Sequence, residues 1–246
     1  MGIGFFVRLK NEEMFLIIKK YKTVLKLLEG NKMNILQIIY PPMCSICGAP
    51  SKEYLCKKCE KKLKQIEIIS SVKTNEKDDI FFDEQFHGFM YDGTVRSLII
   101  QYKFEHKPYI YKTFKTFFEK NEKLYLLFKK YDIIMPVPIS KNRYKNRGYN
   151  QSELLAKELG KAFNIVFEKD ILTKIKNNPQ QSSLGQEKRI LNAKGVYKIN
   201  NSDKITDKNI LLIDDVFTTG ATCNECAKVL KQEGAKRVGV FTITKD

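Results

Sequence analysis

Two rhythms of apolar residues alternate along the chain after residue 80. Residues 86–91 read as a short strand ahead of an Asp92-Gly93 turn. Residues 94–104 and 112–130 place Val95, Leu98, Ile99 and Tyr102, then Phe114, Phe117, Phe118 and Leu124, at helical spacing. The apolar run 132–135 is stopped by Pro136-Val137-Pro138, which predicts a strand ending in a rigid loop. Residues 150–163 put Leu154, Leu155 and Leu159 on one helical face. Residues 196–199 and the wholly apolar 210–213 read as strands, 222–233 as a helix closed by Gly234, and 237–244 as a β-rich strand. Residues 174–185, with Asn, Gln, Ser and Pro, read as a mobile loop. Such alternation predicts an α/β fold with a mainly parallel sheet, whose ligands bind at the carboxyl ends of the strands.

The stretch before this region has a different organisation. Residues 1–32 form a basic, amphipathic leader, 33–69 a module holding two cysteine pairs, and 70–80 a linker without periodicity; 81–246 is the α/β domain. The apolar runs 14–18 and 35–40 fall far short of the ~20 residues of a membrane span. Arg8, Lys10, Glu12 and Glu13 interrupt any secretory signal, so a cytoplasmic protein is expected. Composition adds one fact that changes the picture: 44 basic against 28 acidic residues give a net charge of +16. That excess favours polyanionic partners, whether nucleic acid, phosphorylated ligands or anionic lipid.

Cys44-Ser-Ile-Cys47 and Cys56-Lys-Lys-Cys59 are two C-x-x-C turns, each able to direct two thiolates at one ion. Together they supply the four sulfurs of a tetrahedral structural zinc, with no open position for catalysis. Redox pairs or unrelated buried thiols are the alternatives. Chelation should then unfold this module and spare the α/β domain. A third pair, Cys223 and Cys226, lies at i, i+3 in a predicted helix and reads as a buried helix face, with redox chemistry or a second metal as the alternatives.

The segment Ile210-Leu-Leu-Ile-Asp-Asp-Val-Phe-Thr-Thr-Gly-Ala-Thr222 carries the most chemistry. A buried strand delivers Asp214 and Asp215 to its carboxyl end, and Thr218, Thr219, Gly220, Ala221 and Thr222 turn into a helix. Open amides and hydroxyls at a helix N-terminus suit a phosphate, and the carboxylates beside it suit a diol. Together they describe a site for a ribose 5-phosphate. Simple helix capping is the alternative, but one such residue would suffice for it.

This segment resembles the phosphoribosyl pyrophosphate (PRPP) signature of type I phosphoribosyltransferases. With Pro136-Val-Pro138, Arg147-Gly-Tyr-Asn-Gln151, Gln181, Arg189, Asn192 and the four-cysteine module, the order from about Met33 onward is similar to the ComF (competence protein F) family. The resemblance implies a phosphoribosyltransferase-like parallel sheet with flanking helices and a small zinc-ribbon-like module. It implies that Asp214 and Asp215 bind the ribose hydroxyls and that Thr218, Thr219, Gly220, Ala221 and Thr222 bind the 5-phosphate. Pro138, Ile139, Ser140 and Lys141 would take the pyrophosphate position, with Arg143, Lys145 and Arg147 in reach; solvated loop charges are the alternative for these three. Arg189, on a flap spanning 174–189, would close over the diphosphate; Arg147 and Arg189 are the candidate catalytic residues. Mg²⁺ would accompany PRPP. The family supports DNA uptake in natural transformation, which implies other uptake proteins as partners, such as a helicase of the ComF operon. Tyr149 stands where the family usually has Phe, and residues 1–32 match nothing in its pattern.

Two functional classes follow. One is an adaptor that binds PRPP and single-stranded DNA; the other is a phosphoribosyltransferase of nucleotide metabolism with an unidentified acceptor. Tyr102, Phe104, Tyr109, Tyr111 and Tyr149 lie among cations, as nucleic-acid stacking requires, although a solvated lysine face over core aromatics fits equally. For the leader, Leu28-Glu29-Gly30 can be encoded by a run containing GGAGG, a ribosome-binding sequence, just before Met33. Translation from Met33 is therefore expected, against an amphipathic helix presenting Phe15, Ile18, Val24 and Leu28.

Overall fold

Nine-residue strands at the centre of a sheet need apolar residues on both faces, and the two longest strands have them. The structure, a computed structural model, describes residues 42–51, 53–74, 79–176 and 195–246. The leader and the segment holding Gln181, Arg189 and Asn192 lie outside the described residues. Residues 43–246 form one unit.

Its elements in chain order are α1 (Lys57–Gln65), β1 (Ser71–Lys73), β2 (Glu84–Met90), α2 (Gly93–Phe104), α3 (Ile110–Phe118), α4 (Glu122–Phe128), β3 (Ile133–Pro136), α5 (Lys141–Arg147), α6 (Gln151–Phe163), β4 (Val166–Phe167), β5 (Leu172–Lys174), β6 (Tyr197–Ile199), β7 (Asn209–Phe217), α7 (Ala221–Gln232) and β8 (Arg237–Lys245). The main sheet runs β1-β2-β8-β7-β3-β4, with β5 and β6 forming a separate antiparallel pair. Only the β1–β2 edge is antiparallel; β2, β8, β7, β3 and β4 run parallel.

Strand β7 shows how the two layers arise. Leu211 and Ile213 face an aromatic cluster with Phe86, Phe89, Phe114, Phe118, Phe128 and Phe241, while Ile210 and Leu212 face Cys223, Cys226, Ala227 and Leu230 of α7. Each fully buried large side chain of this kind contributes roughly 1.5–3 kcal/mol. The thiols Cys223 and Cys226 thus belong to a buried helix face, as their spacing indicated.

Three segments depart from the sequence expectation. The helix expected over 112–130 is two helices, because Asn121 is the N-cap of α4 and accepts from the Leu124 amide at 3.2 Å. The expected linker 70–80 begins as edge strand β1, with Ser71 opposite Phe86 and its hydroxyl donating to Glu84 at 2.7 Å. A three-residue strand with every residue exposed leaves no alternation to read. Residues 141–147 form helix α5, capped by Ser140 and ended by Gly148 at φ 83°, a left-handed turn suited to glycine. Among the described residues, no helix is long and apolar enough to cross a membrane.

Candidate functional site

Parallel strands β3 and β7 are neighbours, so the loops leaving their carboxyl ends open onto one cleft. A cavity of about 330 Å³ lies there. From β7 come Asp214 and Asp215, and the following turn supplies Thr218, Thr219, Gly220, Ala221 and Thr222. Gly220 sits at φ 73° as the N-cap of α7 and has no side chain with which to cap it. A Cβ at Gly220 would lie 2.6 Å from the Phe217 ring. Only glycine satisfies both demands. The Ala221 amide donates to the Thr219 hydroxyl at 3.3 Å.

The opposite wall follows β3. Pro138 and Ile139 line the cavity, Ser140 is buried beneath α5, and Lys141 is exposed on its first turn. Asn150 holds this loop in place, its amide donating to the Val137 carbonyl at 3.1 Å. Lys103, Arg143, Arg147 and Lys174 bring positive charge to the cleft. Lys145 is exposed and is not among the cavity residues.

The carboxylates are engaged differently. Asp215 is paired with Lys103 at 2.8 Å. Asp214 accepts from the Ser152 hydroxyl at 3.1 Å and from the Asp215 amide at 2.9 Å. Burial, reinforced by the Asp215 carboxylate, pushes Asp214 up to about 7 against the opposing pull of Lys103. Burial likewise holds the Arg147 guanidinium and the Lys174 ammonium below their ordinary values, with Arg143 adding to the effect on Lys174. Arg147 also lies over the Phe104 ring, 5.8 Å from its centroid.

The four cysteines converge as their spacing predicts. The sulfurs of Cys44, Cys47, Cys56 and Cys59 lie within 4.8 Å of one another, with Cys47 and Cys56 at 3.7 Å. A tetrahedron of Zn–S bonds near 2.3 Å has edges of about 3.8 Å, so the donor set fits structural zinc. Gly48, at φ 71°, lets the Gly48 amide donate back to the Cys44 carbonyl at 2.9 Å. Burial acts to raise the Cys44 thiol, but the amides of Cys56, Cys47 and Ile46 bring it down to about 7.

This segment is not a detached module. Cys44, Leu55, Cys59 and Leu63 share a core with Phe114, Phe117 and Phe118. Thr113 donates to the Ser45 hydroxyl at 2.8 Å and the Tyr54 carbonyl at 3.0 Å.

The aromatics expected for stacking divide between interior and surface. Tyr102 and Tyr149 are buried, and Tyr102 donates to the Gln151 carbonyl at 2.8 Å while Tyr149 donates to the Tyr102 carbonyl. They join α2 to the start of α6 and have no face open to a base. Phe104 and Tyr109 remain exposed, and Tyr111 is half-buried.

Sequence reasoning missed Lys103, Gln151, Ser152 and Tyr197 as cleft residues and gave Lys174 no role beyond opening the flap. Gln151 had a signal, since it closes the R-G-Y-N-Q motif, whereas Lys103 looked like one lysine among many.

Comparison with known proteins agrees with this geometry. Residues 35–69 match the family described as double zinc ribbon domain, and residues 146–246 that described as phosphoribosyl transferase domain. Competence protein ComFC of Streptococcus pneumoniae is 32% identical over 157 residues, 64% of this chain and 66% of that protein. Competence protein ComFC of Bacillus subtilis is 29% identical over 204 residues, 82% of this chain and 77% of that protein. Competence protein F of Haemophilus influenzae is 26% identical over 208 residues, 83% of this chain and 85% of that protein.

Proposed function

The chain belongs to the ComF family of competence proteins, and from that premise we propose that its cleft binds PRPP while the protein handles single-stranded DNA during uptake, in the cytoplasm. One observation carries this reading: two carboxylates, a helix N-terminus with glycine as its N-cap and four cations converge on a single cavity. A ribose with a 5-phosphate and a 1-diphosphate offers the complementary set, a diol between two anionic groups.

In this reading Asp214 and Asp215 accept from the ribose hydroxyls, and Thr218, Thr219, Gly220, Ala221 and Thr222 hold the 5-phosphate. Pro138, Ile139, Ser140 and Lys141 receive the diphosphate, with Arg143 and Arg147 beside it. Arg189 keeps its expected role at the flap, outside the described residues. Among the described residues, the four cysteines form the only cluster of three or more metal-ligating side chains. A Mg²⁺ would arrive chelated by the ligand's own oxygens and would supply positive charge against the diphosphate. Calorimetry with PRPP and Mg²⁺ tests the assignment: Asp214→Asn with Asp215→Asn should weaken binding by more than roughly tenfold, through loss of charged acceptors. Unchanged affinity refutes it.

A second reading, turnover as a phosphoribosyltransferase, is favoured by Asp214. A carboxyl held at about 7 is suited to accept a proton from an acceptor nucleophile at neutral pH. Pyrophosphate release from PRPP that depends on one added acceptor, DNA included, supports the enzyme; binding without release supports the adaptor.

A further inference from the structure

Lysine is concentrated on one short helix. Helix α1 carries Lys57, Lys58, Lys61, Lys62 and Lys64 against a single acid, Glu60. These five lysines exceed Glu60 plus the two net negative charges of a zinc–tetrathiolate centre by two, so local neutralisation does not account for all of them.

Their placement is directional. At about 100° per residue, Lys57, Lys61 and Lys64 fall within an arc of about 60°, turned away from the buried Cys59 and Leu63. They line a shallow cavity of about 400 Å³ together with Glu60, Phe117, Lys120 and Asn121. Lys64 is paired with Glu67 at 2.7 Å, and Lys120 with Glu53 at 3.1 Å and Glu60 at 3.7 Å. Among the described residues, Lys57 and Lys61 form no ion pair.

We propose that this groove, between α1 and the corner joining α3 to α4, is where the protein holds the phosphate backbone of single-stranded DNA. The inference rests on the nucleic-acid part of the proposed function and gives its phosphates a surface; of the aromatics expected to stack, Tyr102 and Tyr149 are buried and Phe104 and Tyr109 are exposed. A concave wall of lysines over a buried Phe117 suits an extended polyanion; a membrane contact calls for an amphipathic helix with an exposed apolar face. Lysines without an exposed aromatic in the groove neutralise phosphates and read no base, which makes binding indifferent to sequence. Zinc positions the groove, because Cys56 is the N-cap of α1 and Cys59 lies in its first turn.

Fluorescence anisotropy of a labelled oligothymidylate, titrated at several salt concentrations, tests this on the full zinc-loaded chain. The triple variant Lys57→Glu, Lys61→Glu, Lys64→Glu should lose at least roughly tenfold in affinity and about 2 in salt slope, at ~0.7 per phosphate contact. Zinc content and melting temperature report its fold. If it fails to fold, Lys57→Gln with Lys61→Gln should still lose more than roughly threefold and about 1.4 in slope. The pair Lys58→Glu with Lys62→Glu, on the other flank of α1, should lose less than the triple variant. Wild-type affinity and slope in the triple variant overturn the proposal, as does an equal loss in the flank pair. Wild-type protein that does not bind the oligonucleotide overturns it, and anionic vesicle binding that the triple variant loses assigns the groove to a membrane instead. Wild-type protein that binds neither removes the DNA reading itself, while PRPP binding stands or falls separately.

Discussion

Replacing Asp214 with Asn is expected to stabilise the ligand-free protein at neutral and alkaline pH. Burial and the Asp215 carboxylate push the Asp214 carboxyl up to about 7, whereas an unfolded aspartate titrates at about 3.9. Between those values the unfolded chain has released this proton and the folded chain retains it. The unfolded state then binds fewer protons, and stability falls as pH rises. The penalty is absent below about pH 4, accumulates across the window and is complete above about pH 7. At about 1.36 kcal/mol per unit, a gap of about 3 units sets an upper limit of about 4 kcal/mol. Asn keeps an oxygen for the Ser152 hydroxyl and the Asp215 amide, so the substitution removes the charge without removing the acceptor. A gain of about 2–4 kcal/mol corresponds to a Tm rise of roughly 4–16 °C for a chain of this size. Thermal unfolding of both zinc-loaded proteins, followed by circular dichroism from about pH 5 to about pH 8, reads the difference. The gap should widen with pH. A gap that does not change with pH, or a variant less stable than wild type at the alkaline end, refutes the electrostatic account.

Three further outcomes follow from the same structure. PRPP affinity should rise roughly tenfold from about pH 6 to about pH 8 as Asp214 ionises, and should lose that component in Asp214→Asn; calorimetry showing identical pH profiles for the two proteins contradicts this. Metal analysis should find one zinc per chain, and chelation should raise hydrogen exchange in Ile110–Phe118 as well as around the cysteines, because they share a core; protection there that survives metal loss separates the two. Gly220→Ala should cost about 2–4 kcal/mol, from the left-handed backbone and the Phe217 ring 2.6 Å from the new Cβ; a melting temperature within about 2 °C of wild type counts against that geometry.

The features legible in the amino-acid order are local in the chain. The four cysteines and the segment from Ile210 to Thr222 each encode their own geometry, because a C-x-x-C turn and a strand–turn–helix fix nearby atoms with few torsions. The parallel sheet was legible for a related reason, since alternating periodicities of 2 and 3.6 are properties of short windows. The partners of those segments came from the packing of distant parts of the chain. Lys103 reaches Asp215 from another helix, Ser152 reaches Asp214 from a third, and no spacing in the chain marks either pair. That packing also decided which aromatics face inward: Tyr102 and Phe104 are two residues apart on one helix, yet one is fully buried and the other half exposed. Helical periodicity says which residues share a face, but only the packing of α2 against α6 says which face is covered, because burial depends on contacts between segments distant in sequence.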